Sequence, residues 1–66
     1  MITRKKCKEL AEFLNQFTCC STSSLELWQL RHYEKSSFRY FFHKAMESAY
    51  IPECIFEELI DKFNNK

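Results

Sequence analysis

The chain contains no glycine and a single proline in its 66 residues. Glycine is the residue that enters left-handed backbone conformations without steric cost, and tight β-hairpins depend on it. Its absence argues against a hairpin-rich β fold and rules out a glycine-rich phosphate loop. No apolar run approaches the ~20 residues that cross a bilayer, so no membrane contact is expected. Net charge is only +1, which by itself does not mark a nucleic-acid partner. The chain is also short. A domain of this size buries only about 60% of the surface its unfolded form exposes, leaving little for a substrate cleft. Neither an enzyme nor a small-molecule substrate is expected.

Apolar side chains are abundant. Hydrophobic residues make up 45% of the chain, and seven Phe, three Tyr and one Trp supply enough surface to fold a single domain spanning residues 1–66. Cys7, Leu10, Ala11, Leu14 and Phe17 recur at helical spacing, with Thr3 placed to cap their helix. Thr18 to Ser24 reads TCCSTSS, whose hydroxyls compete for backbone hydrogen bonds and break the pattern. Ser23 with Glu26 fits a capping box for a second helix, from Ser24 to about Glu34. Phe38, Phe41, Phe42, Ala45, Met46 and Ala49 form the stripe of a third helix, about residues 37–50. The residue before proline is pushed out of the α region, so Tyr50-Ile51-Pro52 ends it. Pro52 suits the first turn of a fourth helix, whose stripe is Ile55, Phe56, Leu59, Ile60 and Phe63. The expected fold is all-α, a compact bundle or orthogonal array of about four short helices.

Candidate chemistry is sparse. Zinc sites usually draw two ligands from a C-x₂₋₄-C or H-x₃₋₅-H pair. Cys7, Cys19, Cys20 and Cys54 stand alone or directly adjacent, and His32 and His43 are eleven residues apart. No metal and no other cofactor is expected. Residues 1–6 resemble the charged start of an export signal, but Lys8, Glu9, Glu12, Asn15 and Gln16 interrupt the next stretch. The expected location is therefore the cytoplasm, where thiols stay reduced, and native disulfides are not expected. Cys19 and Cys20 are open to a redox role by their loop context.

The sequence supports two kinds of binding surface. On the second helix, Leu25 and Trp28 share one side while Leu27 and Leu30 point roughly the opposite way. The helix is then sandwiched between neighbours or presents one side to a partner. Phe13, Leu27, Leu30 and Tyr50 lie off the main stripes and suggest an exposed apolar patch. Trp28 is of a type that dominates contact energetics, but a fold this small also needs such a side chain in its core, so Leu27 and Leu30 are the fairer test of a contact. This favours a small regulator or adaptor that binds another protein, or a second copy of itself. On this reading, Leu27→Asp or Leu30→Asp abolishes a contact and leaves the helices intact.

The alternative is nucleic-acid binding. Charge alternates in blocks, with residues 1–8 at +4 and residues 31–44 at +3. The second and third helices, joined around Lys35-Ser36-Ser37, outline a helix-turn-helix. Its later helix would present Ser37, Arg39, Tyr40, His43 and Lys44, with Arg4, Lys5, Lys6 and Lys8 as a backbone-tracking tail. Oppositely charged blocks can also attract each other within the fold.

Overall fold

Three hydroxyls set the starts of three helices. Thr3, Ser23 and Ser37 are extended, and each side chain accepts the free N–H three residues on, from Lys6, Glu26 and Tyr40, at 3.1, 3.1 and 3.0 Å. Each cap satisfies a first-turn donor that has no partner inside its helix. The computed structural model describes residues 2–18 and 22–65. Its elements are α1 (Arg4–Leu14), α2 (Ser24–Gln29), a 3₁₀ turn (Arg31–Lys35), α3 (Phe38–Ser48), a second 3₁₀ turn (Glu53–Ile55) and α4 (Phe56–Asn64). The fold is an all-α bundle of four short helices, as the apolar spacing predicts.

α1 and α2 form an antiparallel pair. Asn15 closes their connection by donating from Nδ2 to the Thr22 carbonyl at 3.2 Å and accepting the Thr22 N–H at 2.8 Å. The TCCSTSS break is thus fastened to the end of α1 at Thr22, while Cys19 and Cys20 lie outside the described residues. The Thr18 hydroxyl donates to the Ala49 carbonyl at 2.8 Å and ties this connection to the end of α3.

The second helix is shorter than expected. It ends at Gln29, and the chain tightens into 3₁₀ geometry instead of continuing to Glu34. Three residues per turn bring positions i and i+3 into line. That register keeps Leu30 and Tyr33 both against the core while Arg31, His32 and Lys35 face outward. Pro52 is likewise outside the fourth helix. It is extended and leads the second 3₁₀ turn, so α4 begins only at Phe56.

The core takes in most of the phenylalanines, while Phe17, Tyr40 and Tyr50 stay exposed. All seven phenylalanines join one connected set of ring contacts. It runs from Phe17 through Phe13 to Phe63, and on to Phe38 and Phe42. Phe13 is a core residue, because its ring packs on Phe63 of α4 at 5.3 Å and α1 so buries a stripe wider than its main row. Leu27 is also core, at 0% exposure, so the patch expected at Phe13 and Leu27 does not exist at either position. Phe17 lies past the end of α1 and is partly exposed, although it continues the apolar spacing.

α3 ends without glycine in the position glycine usually fills. Ile51 donates to the Met46 carbonyl at 3.0 Å and Tyr50 to the Glu47 carbonyl at 3.1 Å, the bond pair of a Schellman motif. This places Tyr50 at φ 60°, in the left-handed region, with its side chain 80% exposed.

Candidate functional site

The basic residues divide into two groups when the chain folds. Those of α3 meet carboxylates. Arg39 pairs with Glu57 on α4 and lies over the Phe56 ring at 5.2 Å. His43 sits between two acids, with Nδ1 at 3.0 Å from Glu47 and Nε2 at 3.4 Å from Glu53. Lys44 is 3.8 Å from Glu47 and caps the rings of Tyr33 and Tyr40, each at 5.4 Å. Tyr40 itself stands edge-on to Tyr33 at 5.3 Å, and Ser37 is occupied as the cap of α3. The face expected to read nucleic acid is thus engaged largely with acids and rings of its own chain. Within the 31–44 block, Arg39, His43 and Lys44 thus meet acids of the same fold.

The second group has no carboxylate partner among the described residues. Among the described residues, Arg4, Lys5, Lys6, Lys8, Arg31 and Lys35 form no ion pair. The first turn of α1 carries Arg4, Lys5 and Lys6 against the positive end of its helix dipole, an unfavourable placement. Aromatic rings take up two of these charges. Lys6 lies over Phe63 at 5.1 Å, and Arg4 lies over Trp28 at 5.4 Å.

Trp28 receives a second cation. Arg31 lies over the same ring at 4.6 Å, and its Nη1 donates to the Trp28 carbonyl at 3.0 Å. That bond satisfies a carbonyl at the negative end of α2 and holds the guanidinium in place. Two like charges therefore share one indole, and the antiparallel pairing of α1 and α2 is what brings them together. Trp28 is half-buried, with its inner part against the core. Leu25, one turn earlier on the same side of α2, is 54% exposed. Lys8, one turn after Arg4 on α1, is exposed and extends the positive edge. Beneath lies Cys7, fully buried. Burial pushes its thiol above its ordinary range, while the charges of Arg4 and Arg31 pull the other way.

Arg31 also lines a cleft of about 560 Å³, together with Gln29, His32, Glu34 and Lys35. The outward residues of the 3₁₀ turn form this cleft, so it owes its place to the early end of α2.

Of the five expected contact residues, Trp28 is in this site, Leu30 is half-buried against the core, and Leu27 and Phe13 are core. Tyr50 is exposed at the end of α3. Leu25 and Arg31 join the site without being among those five, although the spacing of Leu25, Trp28 and Arg31 at successive i+3 positions is readable in the sequence. Cys54 is exposed, and among the described residues no three His, Cys, Asp or Glu gather as a metal site. No helix among the described residues is long and apolar enough to cross a membrane. The chain matches no family model, no curated protein and no solved structure.

Proposed function

We propose that the protein is a small cytosolic regulator or adaptor that acts without catalysis, by binding another protein through the Trp28 face. One observation carries the reading: a half-buried Trp28 under two guanidinium groups that form no ion pair among the described residues, beside an exposed Leu25. Trp and Arg dominate the energetics of protein contacts, and an anchor already packed on one side loses little freedom on binding. A nucleic-acid reading draws less support, because its recognition residues Arg39, His43 and Lys44 are engaged with acids of the same chain.

The test is affinity capture from native lysate in reductant, with and without nuclease, using the wild type and Leu25→Asp. A protein retained in both nuclease arms by the wild type and lost by Leu25→Asp is the expected result. Recovery of nucleic acid, with proteins lost on digestion, would move the function to the basic residues. Retention of the same protein by both variants would exclude the Trp28 face as the contact.

A further inference from the structure

Resting on that reading, we infer that the Trp28 face takes an acidic peptide segment, one that sets carboxylates against Arg4 and Arg31 and an apolar side chain against Leu25.

Charge sets the first requirement on the ligand. A cation over an aromatic ring is attracted by the negative face of the ring. Placing two cations over one ring also brings them close enough to repel, and among the described residues no carboxylate relieves either. Elsewhere the chain does relieve such charges, as Glu57 does for Arg39 and Glu47 for Lys44. An anion from outside would meet two guanidinium groups held in place, Arg31 by its bond to the Trp28 carbonyl and both by the indole. Guanidinium groups favour carboxylates because their paired donors match two oxygens at once.

The apolar part of the face selects the kind of anion. Leu25 and Trp28 form a short ridge along α2, with Arg4 and Arg31 at its Trp28 end. A peptide with an apolar residue beside its acids would cover both parts. A polyphosphate strand would leave Leu25 uncovered. It would also find the cations of α3 already committed to acids. Beyond Arg31, the cleft of about 560 Å³ with His32 and Lys35 on its walls gives room for a further acidic side chain. Glu34 on the same wall restricts how many it takes.

The chain has a single tryptophan, so its emission reports this site alone. The full chain is titrated with a Trp-free peptide of mixed Glu and Leu, with matched Lys/Leu and Gln/Leu peptides, and with oligo-dT of similar length. The expected result is a saturable change in Trp28 emission with the Glu/Leu peptide, weakened by salt and absent with the Lys/Leu peptide. The double variant Arg4→Gln/Arg31→Gln, checked by circular dichroism for intact helices, should bind about tenfold more weakly or worse. Arg39→Gln should bind as the wild type does. Equal binding of the three peptides, or no loss in the double variant, would overturn the inference. So would tighter binding of oligo-dT at the same salt, or an emission change on dilution of the protein alone, which would point to a second copy. If lysate capture through Leu25 succeeds while the Glu/Leu peptide has no effect, only the acidic class falls. If capture fails as well, the binding reading falls with it.

Discussion

Arg39 on α3 pairs with the carboxylate of Glu57 on α4. Both side chains are more than half exposed, so solvent screens the pair and its contribution to stability is about 0–1 kcal/mol. Its larger consequence is for function, because it commits the cation best placed to read nucleic acid. Arg39→Ala should therefore shift a urea unfolding midpoint only slightly and leave partner retention unchanged. A large loss of binding in this variant would return the function to α3.

Leu27 and Leu25 lie on opposite sides of one short helix and should respond oppositely to the same change. Leu27 is fully buried, and an aspartate there would place an unpaired charge in the core. A domain this small commands only about 3–5 kcal/mol of stability, so Leu27→Asp should unfold it. Leu25→Asp touches solvent and should alter stability by about 0.5 kcal/mol or less. Circular dichroism of the two variants checks this. A folded Leu27→Asp would contradict the core as described.

Tyr50 occupies a left-handed position that costs a residue with a side chain about 1–2 kcal/mol. Glycine avoids that cost and gives back part of the gain through its unfolded-state entropy. Tyr50→Gly should stabilise the protein by about 1 kcal/mol, raising the Tm by roughly 4–8 °C. A drop in Tm would show that the exposed ring makes stabilising contacts.

Cys7 links the site to pH. Its buried thiol holds its proton at pH values where the unfolded chain, with an ordinary value of 9.0, gives it up. The folded state then binds more protons than the unfolded one, so stability falls as pH rises. This contribution is complete below about pH 9 and is lost progressively above it. Urea titrations on either side of that pH should show a steeper loss in the wild type than in Cys7→Ala. Arg4→Gln/Arg31→Gln removes the charges that favour the thiolate and should steepen the loss further. Equal slopes in all three would contradict the placement of Cys7 beneath the two arginines.

Much of the fold was legible because it depends on local chemistry. Thr3 and Ser23 are caps that any reading of hydroxyls before an apolar stripe will find. The third stripe, Phe38 to Ala49, has only one way to face a core. The site was less legible because its decisive features are tertiary. Helical spacing separates Leu25 and Trp28 from Leu27 and Leu30, but which side is buried depends on where α1 and α3 pack. The end of α2 at Gln29 comes from aligning Leu30 with Tyr33 against that core, which no local residue preference announces. Tyr50 was hidden because a left-handed C-terminal residue is normally flagged by glycine. The meeting of Arg4 and Arg31 on one ring joins residues from α1, α2 and the 3₁₀ turn, and the neutralisation of α3 draws on Glu57 of α4 and Glu53 just before it as well as on its own Glu47.

The proposed function stands or falls on whether a partner covers Trp28. With one tryptophan in the chain, fluorotryptophan labelling gives a single fluorine NMR resonance that reports this ring whatever the partner contains. The spectrum is recorded for the free protein and for its complex with the nuclease-resistant partner, together with the solvent isotope shift in each state. On binding, the resonance should move and its solvent isotope shift should fall. An unchanged resonance with an undiminished isotope shift in a saturated complex would contradict a contact at Trp28.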